Sequence, residues 1–340
     1  MIEALLYDKG TNHQVGCRLC AHFCVINPGE RGRCGVRENR DGTLYSLVYG
    51  HTIARHVDPI EKKPLYHFYP GSRSFSIATP GCNMHCHWCQ NAGISQVPRD
   101  LNFPVGDAMS PEQIVVAAQR SGSRSIAYTY TEPTIFFEYS LDTAHLAYAA
   151  GIANVYVSNG YMSAEMLDLV YPYLDAANID LKSFRDPTYR KYAGARLQPV
   201  LDTLKRLHAL GIWLEVTSLI IPGINDDPQE LKELAEFIVT ELGAATPWHV
   251  SRFYPQYKLE HLPPPPPATI NQAVEIGRAA GLMYVYAGNL GIDNNTLCPG
   301  CGTTLIQRRG YDLKNNRISR ESCCPDCGHK IAGVGMGGGG

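Results

Sequence analysis

Residues 74–91 read SFSIATPGCNMHCHWCQN: an apolar run of strand type, followed at once by Cys82, Cys86 and Cys89 spaced C-x3-C-x2-C. Three thiolates from one short loop occupy three corners of an iron–sulfur cube and leave the fourth iron without a protein ligand. A reactive cluster needs such an open iron. A plain electron carrier would supply a fourth cysteine nearby, and tetrahedral structural zinc a fourth ligand. His85 and His87 keep the zinc alternative open at this loop, because short cysteine patterns also arise in zinc sites and by chance.

Downstream, short β-branched or aromatic runs alternate with helical ones, which predicts βα units on a parallel sheet. The strand candidates are SFSIAT, SIAYTY, NVYVS, NIDLKS, IWLEVTSLI, HVSRFY and MYVYA. Leu231, Leu234, Ala235, Ile238, Val239 and Leu242 give one intervening helix a single apolar face. Gly122, Gly151, Gly211, Gly243 and Gly281 each stand between a helical run and the next strand, where a left-handed C-cap belongs. Pro263–Pro267 form a stiff spacer before the last helix. The expected division is a cysteine-rich metal-binding cap at 1–71, an α/β barrel-like domain at 72–292, a zinc-ribbon-like module at 293–332 and a flexible Gly-rich tail at 333–340.

Length and charge fit that plan. A chain of 340 residues, 44% of them hydrophobic, builds one large core with attachments, since single cores stop growing near about 250–300 residues. With 30 basic against 32 acidic residues, no nucleic-acid footprint is implied. No stretch approaches the roughly 18 apolar residues of a membrane span, and the N-terminus has no export signal. A cytoplasmic location is expected, with the twelve cysteines as metal thiolates and not disulfides.

The C-x3-C-x2-C spacing, Trp88 just before the third cysteine and the βα repeat resemble the radical SAM superfamily, whose members fold as a partial (βα)6 barrel. Residues 74–260 look like the pyruvate formate-lyase activating enzymes. The whole chain, including GCRLCAHFC at 16–24, is similar to the radical SAM protein of the AmmeMemoRadiSam system. This resemblance implies a 4Fe–4S cluster on Cys82, Cys86 and Cys89 whose open iron is chelated by S-adenosylmethionine. It further implies reductive cleavage to a 5′-deoxyadenosyl radical that takes hydrogen from an unidentified substrate. The implied partners are a low-potential electron donor of flavodoxin or ferredoxin type and Memo-like and AMMECR-like proteins.

Polar residues fall at the expected C-terminal ends of the strands, the rim where parallel barrels place their chemistry. By resemblance, Glu132 receives the methionine amino group, and Ser158, Asn159, Asp180 and Lys182 contact the ribose and carboxylate. Trp88 would cover the adenine. Each has a plainer reading: Glu132 before Pro133 as a helix start, Asp180 and Lys182 as a salt bridge on one strand face, Asn159-Gly160 as a turn, Trp88 as core. His249 reads most simply as a satisfied core histidine. The chain also departs from the activase pattern, with Tyr130-Thr131 for paired glycines, Val157 for an acid and Pro255 for a histidine. These changes put a glycyl-radical substrate in doubt more than cofactor cleavage.

Two further cysteine sets flank the domain. Cys298, Cys301, Cys324 and Cys327 form two C-P-x-C-G knuckles, a zinc-ribbon pattern with rubredoxin-like iron or an auxiliary Fe–S centre as the alternative. Cys323 is left out. Cys17, Cys20, Cys24 and Cys34 close a four-thiolate site for which zinc and a second Fe–S cluster are equally open. The competing functional classes are a metal-stabilised scaffold that keeps the barrel without turnover and a multi-cluster electron carrier.

Overall fold

In the computed structural model, which describes residues 1–96 and 105–337, the chain is organised around one mixed eight-stranded sheet. Its strands are β1 (Ala54–Pro59), β2 (Arg73–Ala78), β3 (Ser125–Tyr128), β4 (Ala153–Ser158), β5 (Ala176–Asp180), β6 (Trp213–Ile220), β7 (Trp248–Arg252) and β8 (Val285–Gly288). They lie side by side in chain order. β2 to β8 are parallel, and β1 runs antiparallel along β2. Because parallel crossovers are right-handed in about 98% of cases, an unbroken order stacks the connecting helices on one side, as in a barrel; a doubly wound sheet would reverse order midway. All seven expected strands are present. The family resemblance implied six parallel strands, and the seventh, β8, extends the sheet beyond them.

Why these runs become strands is visible in their burial. β3 is buried at all four positions and β5 at four of five, the pattern of strands covered on both faces. Two polar pairs lie inside: Tyr128 donates to Asn154 Oδ1 at 3.0 Å, and Ser140 meets Tyr156 at 2.7 Å. The helices are α1 (Pro111–Arg120), α2 (Phe137–Ala149), α3 (Ala164–Val170), α4 (Leu197–Ala209), α5 (Pro228–Phe237) and α6 (Pro267–Ala279). A capping box of Ser110 and Gln113 starts α1, satisfying two otherwise unpaired N–H groups. Leu231, Leu234, Ala235, Ile238 and Leu242 are all buried, although the chain loosens into a π-helical turn at Ile238–Leu242.

Two stretches pack differently from what the expected division suggests. Residues 54–59 were expected within the N-terminal cap, but they form β1 and fill the ladder at the edge of β2. The cysteine-rich part is built upstream from two small three-stranded sheets, one of Ile2–Glu3, Thr43–Ser46 and Arg37–Arg40, the other of Tyr7–Lys9, Val15–Cys17 and Val25–Ile26. The C-terminal stretch was expected as a loose tail from 333 onward. Instead, Val334 N donates to His67 O, Tyr69 N donates to Val334 O, and Met336 is buried. Residues 338–340 of that tail lie outside the described residues.

The C-terminal module is an antiparallel sheet of β9 (Thr296–Leu297), β10 (Thr304–Arg309) and β11 (Asp312–Asn316). Its seam with the large sheet is polar and buried. Arg308, 1% exposed, donates to Tyr66 O at 2.9 Å and Thr296 Oγ1 at 2.8 Å, and faces Glu61 at 3.4 Å. His67 bridges Tyr286 and Ala332 O at 2.6 and 2.7 Å. His249 pairs with Glu215 at 2.6 Å within the core, which is its plainer reading. No helix among the described residues is long and apolar enough to cross a membrane.

Candidate active site

The loop after β2 carries the central cysteines. Cys86 is buried, with Cys82 and Cys89 partly so. A short edge-like contact holds this loop: His85 N donates to Ala193 O at 2.8 Å and His87 N to Tyr192 O at 2.9 Å. Those acceptors belong to a π-helical turn, Tyr189–Ala193, which no sequence period announced. Lys258 N closes the other side on His87 O at 3.0 Å. Trp88 is packed beneath, 4% exposed, with its ring 6.3 Å from Tyr192.

The sulfurs meet hydrogen-bond donors. Met84 N donates to Cys82 Sγ at 3.4 Å, Asn159 Nδ2 reaches the same sulfur at 3.7 Å, and Ser95 Oγ lies 3.1 Å from Cys89 Sγ. Such contacts favour ligating thiolates and tune a bound cluster. Burial pushes the Cys86 thiol up to about 11, with the Lys182 ammonium pulling the other way. Cys82 is raised as well, by burial first and then by Glu132. Three soft donors that resist ionising alone, braced by N–H groups and a cation, fit a cationic iron–sulfur group.

The strand ends converge on that loop. Glu132 follows β3, fully buried; its Oε1 accepts from Thr134 N at 3.1 Å, Thr134 Oγ1 at 2.6 Å and Ser158 Oγ at 2.7 Å, while Oε2 accepts from Asn159 N at 2.9 Å. It therefore caps the turn Pro133–Phe136, its plainer reading, and at the same time clamps the end of β4. Burial raises its pKa, countered by those same donors. Asn159 passes the constraint on: its amide donates to Asn83 Oδ1 at 2.8 Å, and its Oδ1 accepts Tyr161 N at 2.9 Å. At the end of β5, Lys182 Nζ donates to Asp180 Oδ2 at 3.0 Å. Burial opposes the Lys182 charge, but Asp180 and Cys86 outweigh it and raise its pKa. Asp180 stays 39% exposed in its side chain, open to a ligand.

Sequence reasoning missed Asn83, which ties the cysteine loop to Asn159 and, through Nδ2, to Tyr161 O at 3.2 Å. A polar residue lodged between two cysteines of the C-x3-C-x2-C loop was the available signal. It also missed Asn225, whose amide holds Lys182 O at 2.8 Å. Gly160 makes the clamp possible: its φ is +71°, and a Cβ there would stand 2.8 Å from Ile179 Cγ2. Gly160→Ala is expected to cost about 1–3 kcal/mol through the forced left-handed backbone and to displace Asn159. Urea unfolding checks this; a loss below about 0.5 kcal/mol, the range of neutral surface changes, would contradict it.

At the C-terminus, Cys298, Cys301, Cys324 and Cys327 bring their sulfurs within 4.8 Å of one another. Cys298 and Cys327 are 3.6 Å apart, Cys301 and Cys324 3.7 Å. Four thiols gathered in this way could hold a metal ion, which is consistent with a metal-binding module. Cys323 stays outside it, its Sγ on Glu321 O.

The sequence profile of the Radical SAM superfamily matches residues 76–238. An uncharacterised protein of Methanocaldococcus jannaschii is 45% identical over 334 residues, spanning 97% of this chain and 99% of that protein. The pyruvate formate-lyase-activating enzyme of Clostridium pasteurianum is 22% identical over 176 residues, 50% of this chain and 70% of the enzyme. A radical SAM methyltransferase from Sphaerobacter thermophilus superposes with a TM-score of 0.52 at 15% identity, over 65% of this chain and 67% of that one, which speaks to the fold.

Proposed function

The chain belongs to the radical SAM superfamily and is an enzyme of that chemistry, and from this premise we propose that Cys82, Cys86 and Cys89 hold its 4Fe–4S cluster while the ends of β4 and β5 hold S-adenosylmethionine. When bound, the cluster supplies the electron that splits a C–S bond of S-adenosylmethionine, giving a 5′-deoxyadenosyl radical that abstracts hydrogen from a substrate. The observation that carries the residue assignment is the chain of contacts from Glu132 through Asn159 to the Cys82 sulfur.

Each residue has a task within that reading. Asn159 and Met84 N–H groups stabilise the Cys82 thiolate. Lys182, pinned by Asp180, sets a positive charge that acts on Cys86 and would meet the cofactor carboxylate. Asp180 is the accessible acid for ribose hydroxyls. Glu132 and Ser158 spend their hydrogen bonds on each other and on the Asn159-Gly160 turn, so they position Asn159; any contact of Glu132 with the amino group is through its second oxygen. Trp88, buried at the loop, is in this reading the residue that would cover the adenine.

The likeness to activating enzymes supports a hydrogen-abstraction step on a separate substrate, fed by a low-potential donor of flavodoxin or ferredoxin type. Memo-like and AMMECR-like proteins are the partners suggested by the AmmeMemoRadiSam likeness at 16–24. The partial (βα)6 barrel corresponds in this reading to β2–β7, with β8 added. Anaerobically reconstituted protein given dithionite and S-adenosylmethionine is expected to release 5′-deoxyadenosine. Label carried into that product from deuterated candidate partners would identify the substrate. No product from cluster-loaded protein, the behaviour of a scaffold, would count against the proposal.

For the C-terminal module the reading is one structural zinc. A Zn–S bond of about 2.3 Å sets tetrahedral sulfurs about 3.8 Å apart, close to the pair distances in the knuckles. One zinc per chain is expected, and stripping it with a chelator should melt the module, because binding supplies much of its folding energy. Iron in place of zinc after metal-replete expression would overturn this.

A further inference from the structure

Cys17, Cys20, Cys24 and Cys34 line one cavity, with Arg37 and Asn83 in its wall. Three physical observations bear on what it could hold. The first is spacing. Among the described residues, the C-terminal four cysteines are the group whose ligand atoms close to within 4.8 Å, the span a single zinc requires, since its sulfurs lie about 3.8 Å apart. Neither the N-terminal four nor Cys82, Cys86 and Cys89 close to that span, and the N-terminal four line a small enclosed space of their own. Thiolates spread in this way suit a group with several metal atoms between them.

The second is charge. Arg37 is 1% exposed, and its Nη2 donates to Glu138 Oε1 at 2.6 Å. Its Nε and Nη1 are buried without any partner. A buried cation with unmet donors costs about 1–3 kcal/mol or more, and an anionic four-thiolate cluster in the cavity it lines would satisfy it. The third is position. Asn83 is the chain neighbour of Cys82 and forms part of the cavity wall. Gly81, at φ +102°, leaves no room for a Cβ, which would lie 2.7 Å from Val36 Cγ1 and 3.0 Å from Cys34 O. The two cysteine loops are therefore in van der Waals contact.

We propose that Cys17, Cys20, Cys24 and Cys34 hold a second, fully ligated iron–sulfur cluster that passes electrons singly to the cluster on Cys82, Cys86 and Cys89. An external low-potential one-electron donor reduces the N-terminal cluster. That cluster gives the electron to its neighbour and returns to the oxidised state, with no proton moved and no bond made or broken. The relay half rests on the proposed function; the occupancy half does not.

Metal and sulfide analysis of the anaerobically reconstituted full chain tests occupancy. About eight iron and eight sulfide are expected per chain, four for each cube, together with one zinc. The Cys82→Ala/Cys86→Ala/Cys89→Ala variant should retain about four iron and, when reduced, show an EPR signal indifferent to S-adenosylmethionine. Four iron and two zinc in the wild type would overturn the proposal, and this count holds even if the triple variant fails to fold. For the relay, the fully reduced wild type should show signals broadened by spin coupling between adjacent clusters. Simply additive signals would overturn the relay and leave the superfamily chemistry untouched, just as missing 5′-deoxyadenosine with eight iron present would fault only the proposed function.

Discussion

Cys86→Ala is expected to bring 5′-deoxyadenosine formation down to the level of a protein-free control. Cys86 is one of only three thiols that the central loop offers, and the fourth corner of the cube has to stay open for the cofactor. Two thiolates cannot keep that arrangement, so the loss should be complete and not graded. The contrast with neighbouring positions separates this from general damage. Asn159→Ala removes a donor to the Cys82 sulfur at 3.7 Å, and changes to groups that support a metal ligand typically cost about 10–100-fold. Cys323→Ala, outside all three cysteine sets, should leave product formation intact. Measuring product by mass spectrometry alongside iron content checks the series. Residual turnover in Cys86→Ala above that of Asn159→Ala would contradict the assignment.

The second large effect concerns stability. Arg308→Met strands Glu61, which is fully buried and already has one carboxylate oxygen without a partner. Burial raises the Glu61 pKa, with Arg308 the largest opposing influence. Removing one member of a buried ion pair costs about 3–5 kcal/mol, because the remaining charge is left in a medium that solvates it poorly. Arg308 also accounts for hydrogen bonds to Tyr66 O, Asn294 O and Thr296, and stacks 4.4 Å over the Tyr66 ring, so the seam between the large sheet and the C-terminal module should open first. Denaturant unfolding with a probe in the module measures it. The double change Glu61→Leu/Arg308→Met should recover much of the loss, since replacing both charges removes the desolvation cost. A single-variant loss under about 1 kcal/mol, the size of an exposed pair, would show that the seam is wet.

What could be read from the sequence follows from what is local. The strands β2 to β8 announced themselves because burial on both faces demands continuous apolar or aromatic runs. The glycines at 122, 151, 211, 243 and 281 all take positive φ, a local steric demand. Knuckle spacing is local too, so Cys298, Cys301, Cys324 and Cys327 were paired correctly and Cys323 set aside. β1 was missed because ARHVDP at 54–59 is half polar, ends in proline and becomes a strand by pairing with β2. Met336 and Val334 looked like part of a loose tail because glycine-rich composition says nothing about a groove elsewhere in the chain. Glu132 was legible as a candidate, but the way its carboxylate spends its bonds on Ser158 and Asn159 depends on the ends of β3 and β4 meeting at one rim, which joins residues 26 apart in sequence. Composition and period hold no record of that.

The proposed open iron at Cys82, Cys86 and Cys89 underlies every other role assigned at the site. EPR of the reduced, anaerobically reconstituted protein, recorded with and without S-adenosylmethionine labelled with 17O at its carboxylate or 15N at its amino group, tests it most directly. The expected result is a shifted cluster signal with hyperfine coupling to the label, lost in Cys86→Ala. A signal that neither shifts nor couples would contradict it.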